Sequence, residues 1–132
     1  MSPGVSVFIC DDVPELRELI RCELEEDPVF RVVGEAGDGA AGIAGVTETS
    51  PDAILLDLSM PGVDGLEALP FIRQAAPDAA LLVFSGFAEE RLGEISLARG
   101  ADRYLQKGEP AEAMRRAVLD AVAERRRNGG PR

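Results

Sequence analysis

The sequence predicts an α/β fold in which a doubly wound, five-stranded parallel sheet carries helices on both faces. Short apolar runs of strand length recur along the 132-residue chain, and segments with apolar residues at helical spacing separate them. This alternation of strand and helix is typical of parallel sheets. Two of these runs, Ala53–Leu56 and Ala79–Phe84, are apolar throughout, as expected when a strand is buried on both faces.

The first half of the chain contains three predicted strands and two predicted helices. The strands are Val5–Cys10, Phe30–Gly34 and Ala53–Leu56. The first helix has an apolar face that repeats at helical spacing and consists of Leu16, Leu19, Ile20 and Leu24, with Glu and Arg on the other face. The second helix, Gly39–Thr49, is weaker, because each of its two interior glycines costs about 1 kcal/mol relative to Ala.

The third helix has a start signal in the sequence. Asp64 is its predicted N-cap, and Glu67, three residues later, completes a capping box. Pro70, three residues after Glu67, is expected to kink the helix, because proline lacks an amide hydrogen. The loop before this helix is rich in Pro and Gly.

Two further strand and helix pairs complete the pattern. Ala79–Phe84 is the fourth predicted strand, and Glu89–Arg99 is a helix that ends at Gly100. Arg103–Leu105 is a short fifth strand, and Pro110 begins the last helix. The buried face of that helix is predicted to comprise Met114, Ala117, Val118 and Ala121.

Composition excludes several classes of function. The net charge of −10 argues against direct nucleic-acid binding, which needs clustered Lys and Arg. Histidine is absent, which excludes Ser-His-Asp catalysis and His-ligated zinc. The two cysteines, Cys10 and Cys22, are expected to be reduced thiols. No apolar stretch reaches the length of a membrane span and no signal peptide is recognisable, so we expect a cytoplasmic protein without membrane contact.

Polar residues follow the predicted strands at the carboxyl edge of the sheet. Asp11 and Asp12 follow the first strand, Asp57 the third, Ser85 the fourth, and Lys107 lies just beyond the fifth. Open parallel sheets bind ligands at this edge, so we expect the five side chains to converge. Three carboxylates repel one another, and a divalent cation such as Mg²⁺ would relieve that repulsion. An Asp carboxylate can also attack phosphorus, and an ammonium and a hydroxyl can neutralise the transferred group.

Four motifs, taken in order, resemble the receiver domain of two-component response regulators, the CheY-like family. They are "FICDD" at 8–12, "ILLDLSMPGVDG" at 54–65, "LLVFSG" at 81–86 and "GADRYLQKG" at 100–108. The resemblance covers about residues 5–124 and implies a flavodoxin-like strand order of 2-1-3-4-5. It also implies that the chain catalyses its own aspartyl phosphorylation and dephosphorylation rather than acting on a separate substrate.

The resemblance implies a phosphoacceptor and a metal site. Asp57 would accept the phosphoryl group. Mg²⁺, for which Mn²⁺ could substitute, would be held by Asp12 directly, by Asp11 through water, by Asp57, and by the main-chain carbonyl of Ser59. The phosphodonor would be a histidine on a separate kinase, which agrees with a chain that has no histidine.

The resemblance also implies phosphoryl-binding and switch residues. Lys107 and Ser85 would bind the phosphoryl oxygens, and Ser85 and Tyr104 would form the switch that remodels the surface of the fourth helix, fifth strand and fifth helix. A partner, or a second copy of the chain in a phosphorylation-dependent homodimer, would read that surface. Many relatives have Pro directly after the Lys, often with a cis bond; Gly108 stands there in this chain, so a cis bond is not expected.

Three further segments resemble receivers that usually precede a LuxR-type helix-turn-helix domain. They are "VVGEAGDG" at 32–39, "LPFIRQAAPDA" at 69–79 and "YLQKGEP" at 104–110. We therefore predict a receiver domain over residues 1–124 and a basic C-terminal tail, or linker remnant, over 125–132. The three arginines of that tail, Arg125 to Arg127, also suit the C-terminus of a helix. The expected role is that of a response regulator, either stand-alone or as the N-terminal domain of a transcriptional regulator.

Two other functions use similar residues. An aspartate-nucleophile phosphatase of the haloacid dehalogenase type needs a second Asp two residues after the nucleophile, where this chain has Ser59. Its nucleophile also follows the first strand, whereas Asp57 follows the third. A receiver-like binding module that never takes phosphate is the second alternative, although such a module has no need of three mutually repelling acids.

Overall fold

The protein, described by a computed structural model over residues 4–58, 65–86 and 90–129, alternates strands and helices along the chain. The strands are β1 (Val5–Cys10), β2 (Phe30–Ala36), β3 (Ala53–Asp57), β4 (Ala80–Ser85) and β5 (Arg103–Gln106). The helices are α1 (Pro14–Glu25), α2 (Gly39–Thr49), α3 (Gly65–Ala75), α4 (Glu90–Ala98) and α5 (Ala111–Gly129). All four neighbouring strand pairs are parallel, and the order β2-β1-β3-β4-β5 confirms the predicted fold class.

The sheet separates two apolar cores. Successive side chains of a strand point to opposite faces, so Ile54 and Leu56 of β3 pack with α2 and α3, whereas Leu55 between them packs with α1 and α5. Every residue of β3 and β4 is buried. This two-sided burial is the physical reason why both strands read as unbroken apolar runs.

Pairing between strands extends β2 beyond its predicted end. The sequence predicted a strand over Phe30–Gly34, but parallel pairing with β1 continues to Ala36, which lies opposite Cys10. The extension places Glu35 on the strand, beside the carboxyl end of β1. The other strand ends differ from prediction by one residue at most. Asp64, the predicted N-cap of the third helix, and Glu89, the predicted first residue of the fourth, lie outside the described residues.

Close packing of α2 on β1 explains why this helix contains a glycine at position 45 in spite of its low helix propensity. A Cβ atom at Gly45 would lie 2.3 Å from the ring of Phe8, a distance that real Cβ atoms do not adopt. Glycine at this position lets the helix approach the sheet, and the buried Phe8 ring fills the space. Burial of an aromatic ring offsets the propensity cost of the glycine.

The helix α3 continues through Pro70, and a neighbouring side chain satisfies the carbonyl that the proline leaves without a partner. Proline has no N–H, so the carbonyl of Leu66, four residues earlier, receives no helical hydrogen bond. The Arg99 guanidinium donates to that oxygen at 3.0 Å. This contact links α3 to the residue that follows α4.

The last helix extends into the predicted tail. Val118 and Ala121 are buried, and Met114 and Ala117 pack against the same core, which confirms the predicted apolar face. Residues 125–129 are helical, and Arg125 binds Asp102 at 2.8 Å. No helix in the described part of the chain has both the length and the apolar character required to cross a bilayer.

The two thiols lie in different environments. Cys10 is buried in β1, whereas Cys22 is exposed on α1, and neither forms a disulfide. Burial, together with the charges of Asp11 and Asp38, raises the pKa of the Cys10 thiol to about 12. The thiolate is the reactive form, so Cys10 is chemically silent near neutral pH.

We expect only Cys22 to react with a thiol reagent in the folded protein. At pH 8, Ellman's reagent should titrate one thiol in native buffer and both in denaturant, because unfolding exposes Cys10 and restores its ordinary pKa. The Cys22→Ser variant is the control and should be unreactive until it is unfolded. Rapid reaction of that variant in native buffer would contradict the assignment.

Candidate functional site

The parallel sheet brings the predicted acidic residues together at its carboxyl edge. The strands β1 and β3 are neighbours, with Cys10 opposite Leu56, so the residues that come next in each strand direction lie side by side. These residues are Asp11 and Asp57. Carboxylate oxygens of Asp11, Asp12 and Asp57 all lie within 4.8 Å of one another. The predicted convergence of the three acids is therefore present in the structure.

The three acids differ in their exposure to solvent. Asp11 and Asp57 are fully buried, whereas Asp12 is more exposed. A buried carboxylate is costly unless a cation or hydrogen-bond donors compensate its charge. The site is thus an anionic cluster that solvent reaches at Asp12.

Lys107 supplies the cation nearest to the buried pair. Its Nζ atom lies 3.3 Å from Asp57 Oδ1 and 3.5 Å from Asp11 Oδ2. The ammonium also lies 5.1 Å from the centroid of the Phe84 ring, within the range of a cation–π contact. The Lys107 amide donates to the Ser85 carbonyl at 2.8 Å, which fixes the start of the loop after β5. One ammonium faces three carboxylates, so the pocket retains an excess of negative charge.

One carboxylate oxygen of Asp11 accepts a hydrogen bond, and the other does not. The Val13 amide donates to Oδ1 at 2.9 Å. Oδ2 is buried and accepts no hydrogen bond from the described residues, although the Lys107 ammonium is nearby. A buried oxygen of this kind, in a cluster of carboxylates, suits a hard divalent cation, which takes oxygen ligands and completes its shell with water. The residues present therefore fit Mg²⁺.

The predicted switch residues flank the pocket on the next two strands. Ser85 ends β4, is fully buried, and pairs with Gln106 of β5. Tyr104 is half-buried on β5 and packs against the core on the α2 and α3 face. A Cβ atom at Gly93 of α4 would lie 3.6 Å from the Tyr104 ring, so this helix passes directly beside the tyrosine. Ser59, the predicted carbonyl ligand, lies outside the described residues.

Sequence reasoning missed three residues that shape the pocket. Phe84 was assigned only to a strand, Arg17 to the polar face of a helix, and Gly65 to a helix start. Their contacts with Lys107, with the Asp11 carbonyl and with the Asp57 carbonyl all depend on tertiary packing. For these three residues, the sequence offered one signal, which was Gly65. The start of a helix normally tolerates a side chain, so a glycine there indicates that another part of the backbone approaches closely.

Comparison with known families gives one consistent result. The sequence model described as the response regulator receiver domain matches residues 7–119. The nitrate/nitrite response regulator protein NarL of Escherichia coli K12 is 38% identical over 118 residues, which are 89% of this chain and 55% of that protein. The transcriptional regulatory protein LiaR of Bacillus subtilis is 36% identical over 117 residues, 89% of this chain and 56% of LiaR. The chain thus spans about half the length of these relatives.

Solved structures of the same family share the fold. The signal receiver domain of the putative response regulator NarL from Mycobacterium tuberculosis superposes with a TM-score of 0.86 at 33% identity. The match covers 92% of this chain and 98% of that one. At this identity, the likeness extends to the family as well as to the architecture.

We expect Gly65→Ala to damage the site through the backbone of β3. A Cβ atom at this position would lie 2.0 Å from the Asp57 carbonyl oxygen and 2.6 Å from Leu58 Cα, so α3 or the end of β3 must move. The loss in free energy of unfolding should be about 1–3 kcal/mol, as for other overpacked sites. Urea denaturation of the purified variant would measure it.

Gly86→Ala is the matched control, because no atom of the described residues, apart from the chain neighbours of Gly86, lies within 4 Å of a Cβ atom there. It should change the free energy of unfolding by less than about 0.5 kcal/mol. Equal stabilities of the two variants would show that the steric argument at Gly65 is wrong.

Proposed function

Since this chain belongs to the response regulator receiver family, we propose that it is a two-component signalling switch whose Asp57 accepts a phosphoryl group from a histidine kinase. The observation that carries the proposal is the pocket itself: three carboxylates within 4.8 Å and an ammonium 3.3 Å from Asp57 Oδ1. A structural salt bridge needs one acid, not three. The surplus negative charge is what a metal-dependent phosphoacceptor requires before its ligands bind.

The chemistry assigned to the pocket is phosphoryl transfer between proteins. A carboxylate oxygen of Asp57 attacks the phosphorus of a phosphohistidine, so that an O–P bond forms, the N–P bond breaks, and the kinase imidazole leaves with the electron pair. The Lys107 ammonium, which already lies beside Asp57, would follow the added negative charge onto the phosphoryl oxygens. Ser85, on the adjacent strand, is the proposed hydroxyl donor to the same group. The donor histidine lies outside these 132 residues, which contain none, and we assign it to a histidine kinase.

Mg²⁺ would be held by the carboxylates of Asp11, Asp12 and Asp57. The main-chain carbonyl of Ser59 remains a predicted fourth protein ligand. The metal supplies charge neutralisation to the transferring phosphoryl oxygens. The protein residues orient the acceptor carboxylate and exclude water from its buried side.

The proposed output is a change at the surface formed by α4, β5 and α5. Ser85 and Tyr104 lie on neighbouring strands, and Gly93 of α4 lies against the Tyr104 ring. Movement of Ser85 towards a phosphoryl group would favour an inward orientation of the Tyr104 side chain. This change would allow α4 to shift. This is a population shift, driven by the contacts that only the phosphorylated state makes. A partner protein or a second copy of the chain would read the new surface.

The proposed cellular setting is consistent with the family. We place the chain in the cytoplasm, as a stand-alone receiver or as the N-terminal part of a regulator of transcription. With a net charge of −10, these 132 residues are not expected to contact DNA themselves. No specific observation favours the phosphorylation-independent binding module, and the two tests below distinguish it from the proposal.

Acetyl phosphate with Mg²⁺ should add one phosphoryl group to the parent chain and none to Asp57→Asn, because an amide cannot form the acyl phosphate. Intact-mass spectrometry after a short incubation would measure the labelled fraction. Asp120→Asn, on the exposed side of α5, is the matched control and should label like the parent. Labelling of Asp57→Asn to the parent's extent would refute the assignment of the acceptor.

Mg²⁺ should stabilise the parent chain against unfolding by about 1.4 kcal/mol at a concentration ten times its Kd. Asp12→Asn should lose this response, yet be at least as stable as the parent without metal, because one mutually repelling charge is gone. Thermal unfolding with and without MgCl2, with NaCl added to equal ionic strength, would test both statements. Equal stabilisation of the parent and the variant by Mg²⁺ would show that Asp12 is not a ligand of the metal.

A further inference from the structure

The guanidinium of Arg17, on α1, contacts the main chain that carries the acidic residues. Its Nη1 donates to the carbonyl oxygen of Asp11, and its Nε donates to Glu35 Oε1 at 3.1 Å. The Arg17 side chain keeps only 20% of its exposure. One side chain therefore joins three elements: α1, the end of β2, and the two acids after β1.

Glu35 holds the guanidinium in place from the far side. Its second oxygen, Oε2, accepts from Arg21 Nε at 2.9 Å, and these hydrogen bonds lower the pKa of the Glu35 carboxyl. The carboxylate thus stays ionised and bridges two arginines of α1. Arg21 already ties α1 to β2 without Arg17, so the bond from Arg17 to the Asp11 carbonyl is additional to that link.

The orientation of Asp12 depends on this carbonyl. The Asp11 carbonyl and the Asp12 amide belong to one planar peptide unit, so fixing the direction of the oxygen also fixes the positions of the Asp12 amide nitrogen and Cα atom. The Asp11 side chain has its own anchor in the Val13 amide. Among the described residues, none makes a hydrogen bond or ion pair with the Asp12 carboxylate, so the restraint that these contacts place on Asp12 acts through its backbone.

Space for the arginine is provided by Gly37. A Cβ atom there would lie 3.3 Å from Arg17 Nη1 and 4.0 Å from the Asp11 carbonyl oxygen. A larger residue would crowd the guanidinium where it meets the peptide. The fold thus leaves room for this contact at the position after β2.

From these contacts we propose that Arg17 is a positioning residue for the metal site, acting through the Asp11–Asp12 peptide. The proposal rests on the proposed function, since it concerns the Mg²⁺ ligands assigned there. Preorganisation of a ligand lowers the ordering cost of binding. Residues that orient metal ligands in this way typically account for a 10- to 100-fold change in affinity when they are altered.

The test compares Arg17→Lys with Arg21→Lys in the full chain. Both substitutions keep the charge and lose the planar guanidinium, and both weaken the link to Glu35, but only the first removes the bond to the Asp11 carbonyl. Isothermal titration with MgCl2 should give a Kd about 10-fold higher than the parent's for Arg17→Lys, and within twofold of the parent's for Arg21→Lys. Thermal unfolding without metal should show similar losses of stability for the two variants.

Two further readouts distinguish positioning from general stability. Hydrogen exchange without metal should accelerate at the amides of residues 12 and 13 in Arg17→Lys and remain at the parent rate in Arg21→Lys. Acetyl phosphate labelling of Arg17→Lys should recover at saturating Mg²⁺, because the acceptor itself is unchanged.

The possible outcomes separate this inference from the proposed function. Binding of Mg²⁺ by the parent with a weaker Kd for Arg17→Lys alone supports the inference. Equal Kd values for the parent and both variants overturn it and leave the proposed function intact. Absence of Mg²⁺ binding by the parent overturns both.

Discussion

The structure depends on the contact of one ammonium with two buried carboxylates. Two such carboxylates within 4.8 Å repel each other by about 3–4 kcal/mol at an effective dielectric constant near 20, and the third acid adds to this. Lys107 lies 3.3 and 3.5 Å from the buried pair and offsets part of the repulsion. The compensation is incomplete, and the remaining negative charge is the physical basis of the proposed affinity for a divalent cation.

A charged pocket of this kind needs a rigid frame, and the packing around it provides one. Gly65 brings the start of α3 against the Asp57 carbonyl, and Phe84 lies below the Lys107 ammonium. Arg17 holds the Asp11 carbonyl from α1. Each of these contacts restrains the backbone or the ammonium and does not involve a carboxylate oxygen, so the main chain that carries the acids is held in place. The repulsion that remains between the carboxylates lowers the stability of the fold, as is common at functional sites.

The fold was predictable to a large extent because burial on both faces leaves a strong signal in the sequence. The runs Ala53–Leu56 and Ala79–Phe84 read as central strands for this reason. The prediction was weaker where a neighbour decides the outcome. Extension of β2 to Ala36 depends on pairing with Cys10, and the continuation of α3 through Pro70 is accompanied by the bond from Arg99 to Leu66, a contact between residues 33 positions apart.

For the site, the sequence by itself determined that the three acidic side chains meet. Residues that follow parallel strands share one edge of the sheet, so the strand assignment alone predicted the convergence of Asp11, Asp12 and Asp57. Only the tertiary structure decided how these groups are held. The close approach at Gly65 and the reach of Arg17 to a carbonyl depend on distances between elements that are remote in sequence, and no periodicity or motif encodes such distances. The chemical groups of the site can therefore be predicted from the sequence, whereas the contacts that position these groups are a property of the packed fold.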